Sequence, residues 1–394
     1  MDFKEINMEF PQSDRLQKLP PYLFIEIDKK KKAAIAKGVD IISLGIGDPD
    51  LATPDFIIEA LCKSVKDKSN HQYPLGTGLP RFREAVAKWY DRRFGVQLDP
   101  QEEVVALIGS KEGIGHLPIG VLNPGDICLV PSPGYPVYHA GTLFAGGVSH
   151  FMPLTEKNGF LPELDSIPGD VLKRAKLLWT NSPNNPTSTV AGKEFYERVT
   201  RFAQKHTLVV ANDAAYTELY YDGKKPVSFL ETPGAKEVGI EFHSLSKTFN
   251  MTGWRVGFAV GNKSVLKALA EVKGNLDSGV FNPLQYAGIA ALEAPDSVTN
   301  EIRGIYQQRR DVFAAGLQKL GWKFQIPQAA FYLWIKVPRD MSSARWCEKL
   351  LEEAGVVATP GNGFGQEGEG YFRMTLTVEK FRLEEALQRL SKLK

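Results

Sequence analysis

An α/β fold with a mostly parallel central sheet flanked by helices, joined to a smaller α+β domain, is what this sequence predicts. Three observations point to it. From about residue 80, amphipathic helical stretches alternate with short β-branched apolar runs. Those runs lack the strict alternation of a half-exposed strand, as expected of strands covered by helices on both faces. After about residue 288 the alternation gives way to long helices and isolated strands.

Taken in order, the first helix of the repeating pattern runs through Glu84-Ala85-Val86-Ala87-Lys88-Trp89-Tyr90. Strands follow at Val104-Val105-Ala106-Leu107-Ile108, Ile127-Cys128-Leu129-Val130, Leu177-Leu178-Trp179, Leu208-Val209-Val210-Ala211 and Val238-Gly239-Ile240-Glu241-Phe242. Then come a long charged helix through Arg303, Arg309 and Arg310, a strand at Phe331-Tyr332-Leu333-Trp334-Ile335 and a helix near Glu348 to Glu353. A strand around Arg373 and a terminal helix complete the chain. Residues 48–288 are assigned to a large domain, and residues 1–47 with 289–394 to an N-terminal segment and a small C-terminal domain. No repeat, low-complexity tract or long linker separates them, so they are expected to pack tightly around a cleft.

Composition narrows the function classes. The 394 residues are 43% hydrophobic and 24% charged with a formal net charge of +2, which suits a globular protein and gives no basic surface for nucleic acid. The run Lys29-Lys30-Lys31-Lys32 reads as a solvated face at a helix start. The three cysteines, Cys62, Cys128 and Cys347, are odd in number and widely spaced, so neither a disulfide framework nor a metal site is expected and the compartment should be reducing. The six histidines lack paired helical spacing, which leaves zinc chemistry unsupported. The N-terminus lacks a signal pattern and no apolar run is long enough for a bilayer, so no membrane partner and a cytoplasmic location are expected.

Chemistry concentrates in Ser244-Leu245-Ser246-Lys247 and the following Thr248-Phe249-Asn250-Met251-Thr252-Gly253-Trp254-Arg255. A lysine attacks a carbonyl only after burial or cationic neighbours depress its pKa, and Lys247 follows an apolar strand. Arg255, Ser244 and Ser246 supply a charged fork and hydroxyls for a phosphate. Together these point to pyridoxal 5'-phosphate held on Lys247. Asp213 ends a strand, where ligands of parallel sheets gather, and a carboxylate there keeps a pyridine nitrogen protonated. Tyr216 can reach the phenolic oxygen of such a cofactor, and so can an amide from the exposed asparagine pair in Asn184-Asn185. Gly109-Ser110-Lys111-Glu112-Gly113 lies between a strand and a helix, where backbone N–H groups face an anion. Tyr135 is placed to stack on the cofactor ring, and Arg373 to clamp a substrate carboxylate. The Gly361-to-Gly368 stretch resembles a dinucleotide loop but leads into a strand rather than a helix, so that reading fails.

With these residues in place the chain resembles the fold-type-I, class I/II aminotransferases over nearly its whole length. The resemblance implies the pyridoxal-phosphate-dependent transferase fold, with Lys247 as the Schiff-base lysine and Arg255 on the phosphate. Asn185, in Asn185-Pro186-Thr187-Ser188, takes the amide role, and Ser188 departs from the family's usual glycine. By the same likeness Asp213 and Tyr216 partner the pyridinium and phenolic oxygen, Tyr135 stacks, and Arg373 holds the α-carboxylate beside Gly47. Ser110, Lys111 and Glu112 are carried over to the cofactor, and Lys111, Tyr135 and Asn185 also to the substrate. Tyr73 resembles a tyrosine that reaches the neighbouring subunit's phosphate, which implies a homodimer with shared active sites.

Leu19-Pro20-Pro21-Tyr22-Leu23-Phe24, Leu44-Gly45-Ile46-Gly47-Asp48-Pro49 and Asn212-Asp213-Ala214-Ala215-Tyr216 are most similar to the branch acting on LL-2,6-diaminopimelate, where Tyr22 would belong to the substrate site. The implied reaction is amino transfer from that diacid to 2-oxoglutarate, within lysine biosynthesis. Aspartate, alanine or aromatic amino acids stay open as donors, as does a β-lyase of the same fold. A transcription regulator with an aminotransferase-like domain would need a DNA-binding module, and only about forty residues precede Leu44.

Overall fold

A two-residue strand, β1 (Ile42–Ser43), precedes seven strands that form one sheet: β2 (Val104–Leu107), β3 (Ile127–Ser132), β4 (Val148–Pro153), β5 (Ala175–Asn181), β6 (Val209–Asp213), β7 (Gly239–Ser244) and β8 (Gly257–Gly261). The structure is a computed structural model that describes residues 10–19, 23–36, 38–338 and 340–393. The spatial order is β2-β8-β7-β6-β5-β3-β4, parallel except that β8 runs against both neighbours. Between β7 and β8 the chain makes one helical turn, Leu245–Thr248, and a loop rather than a helix long enough to pack back along the sheet. It therefore returns beside β7 in the opposite sense.

Both faces of the sheet are covered, which explains the unbroken apolar runs. Leu178 and Val210 face a core built with Phe82, Val86, Trp89 and Tyr90 of the helix Pro80–Phe94. Their chain neighbours Leu177 and Ala211 face the opposite core, with Ile114 and Leu117 of the helix Ser110–Val121. Strands β3 and β7 are buried at every position. The helix Pro80–Phe94 starts on a proline in its first turn, where a missing N–H costs nothing, and stops at Gly95 in the left-handed region.

The smaller unit holds β9 (Tyr332–Lys336), β10 (Val356–Val357), β11 (Thr359–Pro360) and β12 (Tyr371–Thr375). Strands β11, β12 and β9 make an antiparallel sheet in that order, and β10 pairs in parallel with β1. Helices Asp296–Lys319, Ser343–Ala354 and Lys380–Leu390 pack on it through Phe313, Trp346, Leu350 and Leu383. The arginines of the long helix are buried rather than solvated. Arg309 forks onto both oxygens of Asp50 at 2.7 and 2.8 Å, and Arg310 does the same to Asp222 at 2.7 and 2.9 Å. The lysine run lies in the middle of the helix Leu23–Ala36, not at its start. Among the described residues no helix is long and apolar enough to cross a membrane.

Candidate active site

The strand ends assemble the site. Asn181 and Asp213 close β5 and β6 as register partners, and Ser244 closes β7 opposite Gly257, the first residue of β8. Leu107, the last residue of β2, also pairs with Gly257, which brings Gly109, Ser110 and Arg255 to the same edge. A cavity of about 350 Å³ opens there, between the large sheet and β9 and β12. Gly47, Ser110, Lys111, Tyr135, Asn185, Asp213, Tyr216, Ser244, Ser246, Lys247, Arg255 and Arg373 line it, joined by Ile46, Ala215, Thr252 and Tyr332.

Lys247 sits in the single turn after β7, which is held by the Ser246 N–H donating to Ser244 Oγ at 3.2 Å. Its Nζ donates to Gly47 O at 3.0 Å. Burial pulls its pKa down to about 8, with Arg255 and Arg373 pushing the same way and Asp48 opposing. The amine is therefore a nucleophile and base at mildly alkaline pH. Across the cavity, burial pushes the Asp213 carboxyl up to about 6, against hydrogen bonds from the Tyr138 hydroxyl and the Ala215 N–H.

Arg373 is 1% exposed, and its guanidinium lies between the Tyr332 and Phe364 rings at 4.3 and 4.6 Å. Nη1 donates to Asn185 Oδ1 and Nη2 to Gly45 O, each at 2.7 Å. The first bond assigns Oδ1 of Asn185 as acceptor and leaves Nδ2 as its donor. Asn181 Oδ1 in turn accepts from the Asn185 N–H at 2.8 Å and fixes the turn. The asparagine pair is buried rather than exposed, at 3% and 8%, because Asn184 Oδ1 is spent on the Thr187 N–H and hydroxyl. Ser188 takes a left-handed φ of 61° and donates its hydroxyl to Tyr332 O at 2.8 Å, so the position usually given to glycine becomes a tie to β9.

Arg255 and Gly109 form the anion end. A Cβ on Gly109 would lie 2.4 Å from Arg255 Nη2, so the guanidinium packs flat against a backbone that only glycine leaves open. With Ser244, Ser246 and the start of the helix Ser110–Val121 this gives a donor set suited to phosphate.

Two expected residues do not line the cavity. Glu112 does not line the cavity: Oε2 accepts from the Ile108 N–H at 2.7 Å, and both carboxylate oxygens take Lys273 Nζ at 3.1 Å. Its own N–H is spent on Gly109 O at 3.2 Å, so it braces the turn instead of facing a ligand. Glu112, His116 and Asp277 lie close enough to hold a metal ion, but the buried Lys273 ammonium already brings positive charge to both carboxylates. Tyr73 is 94% exposed and is not part of the cavity wall of its own chain. Tyr22 lies outside the described residues. Sequence reasoning missed Tyr332 and Tyr138, because a tyrosine inside an apolar run reads as core.

Residues 39–390 match the family described as aminotransferase class I and II. An LL-diaminopimelate aminotransferase of Syntrophobacter fumaroxidans is 56% identical over 98% of this chain and 100% of its own length. One from Aquifex aeolicus is 53% identical, with the same coverage of both. Among solved structures, substrate-bound BacF from Bacillus subtilis superposes with a TM-score of 0.93 at 41% identity, covering 98% of each chain. An aspartate aminotransferase of Thermus thermophilus gives 0.91 at 31% identity, covering 98% of this chain and 100% of its own.

Proposed function

The chain belongs to the class I and II aminotransferases, and we propose that within them it moves an amino group between LL-2,6-diaminopimelate and 2-oxoglutarate. One observation carries this reading: the buried Lys247 amine and the buried Arg373 guanidinium share one cavity and bond carbonyls of one loop, Gly47 O and Gly45 O. An amine that reacts with carbonyls and a cation that takes a carboxylate are thus held close together. The choice of diacid is supported by the full-length likeness to LL-diaminopimelate aminotransferases.

Enzymes of this family use pyridoxal 5'-phosphate, and the cavity fits it. Lys247 would carry its aldehyde carbon. Asp213 would meet the ring nitrogen, Asn185 and Tyr216 the phenolic oxygen, and Tyr135 the ring face. Ser110, Lys111, Ser244, Ser246 and Arg255 would hold the phosphate. When bound, the cofactor supplies an aldehyde for the incoming amine and a ring that draws electrons from the substrate's α-carbon. Arg373 binds the α-carboxylate and orients the α-C–H bond. Lys247 Nζ, neutral in part at physiological pH, takes the α-proton and returns it on the product side. The buried Asp213 carboxylate holds a proton at the ring nitrogen. Tyr332 walls the cavity on the β9 side, and the Phe331 ring, its centre 5.7 Å from Lys247 Nζ, limits water there. The two half-reactions are ping-pong, yielding glutamate and an oxo acid that closes to tetrahydrodipicolinate with loss of water. Lysine synthesis uses the reverse direction.

On the same reading residues 48–288 form the cofactor-binding domain, and residues 1–47 with 289–394 close over it. The enzyme is a cytoplasmic homodimer in which the exposed Tyr73 enters the neighbouring subunit's phosphate site and Tyr22 serves the substrate. The test is glutamate formation from 2-oxoglutarate with LL-diaminopimelate, meso-diaminopimelate, aspartate, alanine and phenylalanine as separate donors. A clear preference for the LL isomer is expected. Preference for a common amino acid would overturn the substrate, and release of pyruvate and ammonia would mark a lyase.

A further inference from the structure

We propose that Tyr332 is a positioning residue whose hydroxyl donates to Tyr216, so that the single proton of Tyr216 is turned into the cavity toward the cofactor's phenolic oxygen. The proposal rests on the reading of this cavity as a pyridoxal-phosphate site.

The two phenol oxygens are 2.6 Å apart, and the side chains are 2% and 6% exposed. Each hydroxyl has one proton, so one of the pair must donate and the other accept. Three features favour Tyr332 as the donor. Its oxygen is pressed against the Gly47 α-carbon, where an added Cβ would lie 2.4 Å away, and the Gly47 carbonyl already accepts from Lys247 Nζ. Among the described residues the Tyr332 hydroxyl's one hydrogen bond is to Tyr216, and a buried hydroxyl proton without an acceptor is costly. The Arg373 guanidinium lies 4.3 Å from the centre of the Tyr332 ring, and a cation over the ring face draws electron density from the phenol and strengthens it as a donor. With Tyr332 donating, the proton of Tyr216 has to turn elsewhere, and the cavity is open to it.

The arrangement is fixed from outside the pair. Tyr332 opens β9 as the register partner of Thr375, and its carbonyl takes the Ser188 hydroxyl at 2.8 Å. The two rings meet edge to face with centres 5.4 Å apart. Arg373, Asp213 and Asp48 are the charged groups around Tyr332, Asp213 and Arg373 those around Tyr216, and Lys247 lies over the adjacent Phe331. The carboxylate clamp and the cofactor's phenol partner thus share one side chain.

The experiment titrates the visible absorption of the bound cofactor with pH in wild type, Tyr332→Phe, Tyr216→Phe and the double variant, and measures each dissociation constant for pyridoxal phosphate. The phenylalanine at position 332 keeps the ring under Arg373 and removes only the hydroxyl. A donor to the phenolic oxygen stabilises its anionic form, so weakening that donor raises the midpoint. Tyr332→Phe is expected to move it up by roughly half a unit to one unit, the size of one ordinary hydrogen bond. In the Tyr216→Phe background the same change is expected to move nothing, which a merely structural effect would not reproduce. A normal band with an unmoved midpoint in Tyr332→Phe, or an equal shift in both backgrounds, would overturn the proposal alone. Absence of a visible band in wild-type protein given pyridoxal phosphate would overturn the underlying reading and the proposal with it.

Discussion

The Tyr138 hydroxyl donates to Asp213 Oδ2 at 2.7 Å, and both side chains are closed off from solvent. This pairing ties the carboxylate at the end of β6 to the helix Val137–Phe144, where the Tyr138 ring stacks on Trp179 with centres 4.8 Å apart. Asp213 is thereby set in one orientation before any ligand arrives.

Burial pushes Asp213 up to about 6 from 3.8, so the cofactor-free folded protein holds this proton more tightly than the unfolded chain. Its contribution to stability is full below pH 3.8, falls as pH rises through about 6, and is then lower by about 3 kcal/mol. Asp213→Asn removes the charge and keeps the shape. Urea unfolding of the cofactor-free variant is expected to show it more stable than wild type by as much as about 3 kcal/mol at alkaline pH, with the gain shrinking toward zero in acid. A gain independent of pH would contradict the assignment.

Lys247 titrates in the opposite sense. Its folded pKa of about 8, against 10.5 unfolded, leaves a neutral amine in a pH range where surface lysines stay charged. The rate at which the cofactor-free protein recombines with pyridoxal phosphate should therefore rise through a midpoint near 8. Peptide mapping after borohydride reduction should find the label on Lys247. Even labelling of many lysines would argue against a depressed amine at this site.

Gly109→Ala places a methyl group against Arg255 at a φ of +71°, a conformation costing about 1–3 kcal/mol for a residue with a side chain. Displacing the guanidinium adds a specific loss at the phosphate end. We expect at least a tenfold weaker dissociation constant for pyridoxal phosphate, on the order of 1.4 kcal/mol, measured by equilibrium dialysis. A variant with lowered thermal stability but unchanged affinity would show that Arg255 does not hold the phosphate.

Ser188 offsets its left-handed backbone with the bond to Tyr332 O. Ser188→Ala keeps the strain and orphans a buried carbonyl, at a cost of about 1–3 kcal/mol. Ser188→Gly loses the same bond but relieves strain of about 1 kcal/mol, so it should be the milder change in urea unfolding. Equal or reversed order would mean that the hydroxyl does not matter there.

Much of this was legible in the sequence because it depends on local pattern. The runs at Leu177-Leu178-Trp179 and Val209-Val210-Ala211 predict buried parallel strands, and their last residues predict where Asp213 meets the ligand edge. Serines flanking a lysine after such a strand announce the turn that carries Lys247. What was not legible depends on contacts between distant segments. Tyr332 and Tyr216 are separated by 116 residues, and nothing in Phe331-Tyr332-Leu333 marks the hydroxyl as part of a site. Glu112 was misplaced because the turn it braces looks the same whether its carboxylate faces a ligand or a buried lysine, and Lys273 lies 161 residues on. The sequence marks the helix Asp296–Lys319 as charged but not where its arginines go, because their partners Asp50 and Asp222 come from distant segments.

Amino transfer by Lys247 on LL-diaminopimelate, as proposed for this cavity, can be followed by mixing purified wild type and Lys247→Ala, each given pyridoxal phosphate, with LL-diaminopimelate in the absence of any oxo acid and recording the visible absorption of the cofactor. Wild type is expected to lose the absorption once, in proportion to enzyme, and to regain it on adding 2-oxoglutarate, while Lys247→Ala forms no glutamate. Persistence of the wild-type band with the LL isomer, or glutamate formation by Lys247→Ala at a rate near wild type, would contradict the proposal.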